Sequence, residues 1–78
     1  MPLVQIKGVS GLLDSKQKQE LIQKVTDAVV SVEGEGLRPV TWVLLEDIQS
    51  DEWGVGGKAI TTECAKKMRA DSSAACAS

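Results

Sequence analysis

The sequence predicts an α/β protein: a β-α-β protomer with two parallel strands and a short C-terminal hairpin, assembling as an oligomer. Three observations predict it. "LVQIKGV" near the start and "PVTWVLLEDI" in the middle are short runs rich in large and β-branched apolar residues. Between them, apolar residues return at helical spacing over about 20 positions. After the second run, three glycines in "WGVGGK" supply the turn chemistry of a tight hairpin.

The first strand is expected over Leu3–Val9, with Leu3, Val4, Ile6 and Val9 around polar Gln5 and Lys7. Gly8, Ser10 and Gly11 then loosen the chain into a connection. Asp14 is a good helix N-cap, and Gln17 stands three residues on, the capping-box spacing. Leu21, Ile22, Val25, Ala28, Val29 and Val32 form the expected apolar face of the helix, and "GEG" at 34–36 should end it. The second strand is read from Pro39 to Ile48. A helix joining the two strands makes them parallel, with a right-handed crossover. Two strands and one helix leave one sheet face bare, so another subunit should cover it. Residues 1–60 thus form one β-α-β domain. Residues 61–78 form a C-terminal extension, a short helix from Thr62 to Ala70 followed by a disordered tail, "DSSAACAS".

Composition narrows the function. Seventy-eight residues make one small domain, and a chain this size buries only about 60% of its unfolded surface. Association between subunits is therefore the expected route to stability. The two cysteines, Cys64 and Cys76, have no framework spacing, and Cys64 reads as a passive helix cysteine. There is no histidine and no Cys-x-x-Cys, so no metal or other cofactor is expected. A net charge of −2 with both signs interspersed disfavours nucleic acid. With no signal peptide and no apolar run of about 20 residues, no membrane partner is expected and the setting reads as cytoplasmic.

The candidate sites reduce by elimination. "GVGG" lacks a phosphate-binding pattern and reads as turn glycines. Glu46 and Asp47 are strand neighbours and should point to opposite faces. Without histidine no ordinary serine triad exists. Trp42 and Trp53 are the only aromatic residues, each more simply read as packing. Arg38 and Arg69 are the only guanidinium groups, so a bidentate carboxylate clamp must use one of them. One unusual group remains. Pro2, once Met1 is removed, carries a secondary amine that can titrate near neutral pH.

The whole pattern resembles the tautomerase superfamily, in particular its small 4-oxalocrotonate tautomerase (2-hydroxymuconate tautomerase) type. The matching features are "MP" before a short strand, "LDSKQKQELIQKVTDAV" as helix, "VTWVLLEDI" as second strand and "DEWGVGGK" as closing hairpin. "IK", "LDxxQK", "TD" and "QSDEW" also resemble a dimeric branch that lacks the later hairpin glycines. The resemblance covers about residues 2 to 60. It implies a cofactor-independent isomerase in which the Pro2 amine moves a proton in an enol–keto substrate, and a homo-oligomer, hexamer or dimer.

Trp53 falls where the family places an aromatic residue in the pocket wall. The family's arginine before the helix is replaced here by Gly11, Leu12 and Leu13, and its second-strand arginine by Trp42. Arg38 or Lys7 might then substitute in binding a small-molecule carboxylate substrate. The hydrolytic dehalogenase branch has a glutamate two residues after the aromatic, where Val55 stands. A non-catalytic relative acting as a scaffold or binding module is the alternative the same residues allow.

Overall fold

The computed structural model describes residues 1–70. Its elements run β1 (Leu3–Val9), α1 (Ser15–Glu33), a 3-10 turn (Glu35–Val40), β2 (Trp42–Ile48), β3 (Trp53–Val55), β4 (Lys58–Ile60) and α2 (Thr62–Ala70). The tail expected to be disordered lies outside the described residues. β1 and β2 are neighbours in one parallel sheet, joined through α1. Two bonds at the ends of this pair show the shared direction. Trp42 N–H donates to the Pro2 carbonyl at 3.0 Å, and Ser10 N–H to the Ile48 carbonyl at 2.7 Å.

The chain divides into two compact units. The first holds Met1–Lys7 and Leu13–Glu46; the second holds Gly8–Leu12 and the residues from Asp47 on. In the first, α1 starts as its sequence dictates. The Asp14 carboxylate accepts from Gln17 N–H at 2.8 Å, and the Gln17 side chain accepts from Asp14 N–H at 3.0 Å. Both are orphan donors of a helix start, and a cap of this kind is worth about 1 kcal/mol. Gly34 ends the helix at φ 114°, its N–H donating to the Val30 carbonyl at 2.9 Å. A side chain rarely adopts that φ, so glycine fits there.

The apolar face of α1 differs from the expected one at its C-terminal end. Val30 is the one buried hydrophobic residue among those described, at 4% exposure, whereas Val32 is 86% exposed. Val30 stands on the inward side of the last turn and Val32 does not. The second strand also starts later than expected. Pro39 has no N–H for a ladder, and it sits inside the 3-10 turn that Arg38 holds. That turn closes with Thr41 N–H on the Arg38 carbonyl at 3.2 Å and Thr41 Oγ1 on the Leu37 carbonyl at 2.8 Å.

Strand alternation sorts the sheet residues into two faces. Val4, Ile6, Val43 and Leu45 are half-buried, while Leu3, Gln5, Lys7, Trp42, Leu44 and Glu46 are exposed. In the second unit, β3 and β4 pair antiparallel, Trp53 opposite Ile60 and Val55 opposite Lys58. Gly56 and Gly57 connect them with φ of 58° and 86°. Positive φ at both central residues is the geometry that matches strand twist in a two-residue hairpin, and glycine reaches it without strain.

Candidate active site

Pro2 precedes β1 and is half-buried, its carbonyl held by Trp42 N–H. Its nitrogen is an amide while Met1 is attached, and Met1 is 80% exposed. Trp42 opens β2 on the exposed sheet face, 55% exposed. That placement differs from the packing role its sequence context suggests. Lys7 stands on the same face, five residues and about 17 Å of strand beyond Pro2. Its ammonium lies 3.8 Å from the Glu46 carboxylate across the β1–β2 pair. Both groups are mostly exposed, so the attraction is weak.

Arg38 is engaged on both edges of its fork. Nε donates to Glu35 Oε1 at 2.5 Å, Nη2 to Glu35 Oε2 at 3.3 Å, and Nη1 to Asp27 at 2.7 Å. These bonds, Glu35's first and Asp27's next, raise the Arg38 guanidinium further above its ordinary range. The Arg38 bond in turn holds the Glu35 carboxyl below the usual carboxylate range. A guanidinium paired in this way ties the 3-10 turn to α1. The structure thus brings Pro2 and Trp42 into direct backbone contact and pairs Lys7 and Arg38 with carboxylates of their own unit.

Trp53 belongs to the second unit, half-buried at the start of β3. The same unit gathers the Gly8–Leu12 loop and α2. Thr61 Oγ1 accepts from Cys64 N–H at 3.1 Å, an N-cap for α2. Thr62 Oγ1 donates to the Ser10 carbonyl at 2.6 Å, and Thr62 N–H to Ser50 Oγ at 3.1 Å. Near the helix end, Arg69 Nη1 donates to the Leu12 carbonyl at 3.2 Å. Sequence reasoning named Arg69 as a guanidinium without placing it. No local pattern announces a contact spanning 57 residues.

Cys64 corrects one expectation. It is disulfide-bonded, and its partner lies outside the described residues. A small domain with one buried hydrophobic residue gains from such a staple. A shallow groove beside the first turns of α1 is lined by Asp14, Lys16, Gln17, Gln19, Glu20 and Gln23, none of them a candidate site residue. Among the described residues, no helix is long and apolar enough to cross a membrane.

Comparison with known proteins agrees with this architecture. Residues 2–63 match the family model described as tautomerase enzyme. The chain is 33% identical over 61 residues to the probable tautomerase K2 of Dickeya dadantii, covering 78% of this chain and 90% of that one. It is 34% identical over 61 residues to the 2-hydroxymuconate tautomerase of Bacillus subtilis, covering 78% and 95%. A solved structure of the 4-oxalocrotonate tautomerase isozymes from Methylibium petroleiphilum superposes with a TM-score of 0.66 at 28% identity, covering 82% of this chain and 97% of that one. The match begins at Pro2 and runs through the β-α-β unit and its hairpin: the chain belongs to the tautomerase family and is an isomerase of the 4-oxalocrotonate tautomerase type.

Proposed function

We propose that this tautomerase moves a proton in enol–keto substrates of the 2-hydroxydienoate or enolpyruvate type, with the Pro2 amine as general base and then acid. The observation that carries the reading is Pro2 itself, the first residue of the family match, behind a Met1 that is 80% exposed. Loss of Met1 turns the Pro2 amide into a secondary amine. A half-buried amine loses its proton more readily than a solvated one, because burial disfavours the charged form. The free base takes the enol O–H proton, the oxygen's electrons close the C=O bond, and the C=C pair takes a proton back at carbon. One O–H is broken and one C–H formed, with no redox change.

The preferred substrate carries a single carboxylate, as phenylenolpyruvate does, rather than the two of 2-hydroxymuconate. Two features support this: Trp42 stands where the family has an arginine, and Arg38 is already paired with Asp27 and Glu35. The enzyme acts as a homo-oligomer, a dimer at least and a hexamer on the resemblance of its hairpin glycines. Exposed Leu3, Trp42 and Leu44 on one sheet face support association, since such a face is costly to leave in water.

Intact mass of the natively expressed protein, followed by kinetics of Pro2→Ala, tests the reading. The expected mass lacks Met1. The variant loses about 10²–10⁴ in rate with its fold intact, and the ionisation on which the wild-type rate rises moves with it. Retained Met1, or a variant equal to wild type in rate and pH profile, would point instead to a non-catalytic scaffold or binding module.

A further inference from the structure

The two arginines of this chain have different fates. Arg38 has both edges of its guanidinium on carboxylates. Arg69 has one N–H on the Leu12 carbonyl, and its side chain is exposed. A guanidinium carries five donors in a planar fork, so an edge remains for a bidentate carboxylate. Its position is fixed by the way α2 is held. Thr62 is bonded to Ser10 and Ser50 at the start of the helix, and Arg69 to Leu12 in its last turn. The loop also fits α2 closely: a Cβ on Gly11 would lie 3.2 Å from the Thr62 methyl. Trp53 is part of the same compact unit. Arg69 lies beyond residues 2–63, the part of the chain that the family model accounts for.

We propose that Arg69, presented by α2 on the Ser10–Leu12 loop, binds the substrate carboxylate of the tautomerase reaction and sets its preference for monocarboxylates. This assignment rests on the reading of the reaction given above. One available guanidinium fork matches one carboxylate. Leu3–Val9 alone is about 20 Å of strand. An amine ahead of it and a loop behind it therefore serve one small substrate only when they come from different copies of the chain. The site is accordingly incomplete in a monomer.

The test compares wild type, Arg69→Lys, Arg69→Met and the charge-matched control Lys66→Met, with helix content checked by circular dichroism. Two quantities are read: kcat/KM for phenylenolpyruvate and for its methyl ester, and the Kd of trans-cinnamate by tryptophan fluorescence. Arg69→Met is expected to lose about thirtyfold on the acid and on cinnamate binding, with the ester unaffected. Arg69→Lys, which keeps the charge and a donor for Leu12 but not the fork, recovers part of that loss. Lys66→Met behaves as wild type. Equal losses on acid and ester would make Arg69 only an anchor of α2 and overturn the proposal, as would unchanged or undetectable cinnamate binding. Arg69-dependent cinnamate binding without any turnover by wild type would uphold Arg69 and sink the proton-transfer reading instead.

Discussion

The two helices of this chain are made in opposite ways. α1 carries its instructions within itself: Asp14 and Gln17 cap each other, Gly34 stops it, and Glu20 pairs with Lys24 at 2.8 Å one turn on. α2 has nine residues and a threonine cap, and its remaining anchors come from 52 and 57 positions away. Nine residues are too few to hold a helix in water unaided. One helix is therefore a property of its own sequence, the other a property of the loop it rests on.

Substitutions on the two sides should separate accordingly. The largest effect is expected from Gly11→Val. Gly11 has φ 87°, and a side chain there meets the Thr62 methyl. Backbone strain and overpacking together should cost about 2 kcal/mol or more. Urea denaturation would record this, and hydrogen exchange would show the loss centred on α2; an α1 that opened equally would erase the contrast.

Thr62→Val removes the hydroxyl that donates to Ser10 and leaves a carbonyl unpaired, at a cost of about 1–1.5 kcal/mol. Exchange in α2 should quicken before any change in α1. Asp14→Ala should cost about 1 kcal/mol, and here the effect should survive excision. A peptide of residues 14–34 ought to lose helical signal with the substitution, while a peptide of residues 61–70 stays a coil with or without Thr62.

The smallest effect belongs to the 3-10 turn. The Arg38 bond lowers the Glu35 carboxyl in the folded chain, so its stabilisation is present above the unfolded pKa and fades as pH falls through the folded one. Both side chains are substantially exposed, and the contribution is correspondingly small. Glu35→Gln should flatten this part of the acid limb of a stability–pH curve. An unchanged acid limb would show the pair to be thermodynamically silent.

The same contrast explains what could be read in advance. The cap at Asp14, the stop at Gly34 and the two-glycine hairpin are local, and each is visible within a few residues. The late start of β2 is not, because Arg38 reaches Asp27, eleven positions back, and keeps Pro39 in a tight turn. Nor is the choice between Val30 and Val32, identical in chemistry and separated by their phase on α1. In the candidate site, Pro2 stood out because so few other groups could titrate or attack. Arg69 acquired a place only when the fold put it beside Leu12.

One buried valine has a practical consequence. A folded chain whose described residues include a single buried hydrophobic side chain, and whose sheet presents Leu3, Trp42 and Leu44 outward, draws its stability from apolar surface that another copy removes from water. Its melting temperature is then a function of dilution, climbing with the logarithm of protein concentration. A thermal-shift screen for ligands would have to be run and compared at one matched concentration, because a tenfold dilution could imitate the loss of a bound compound.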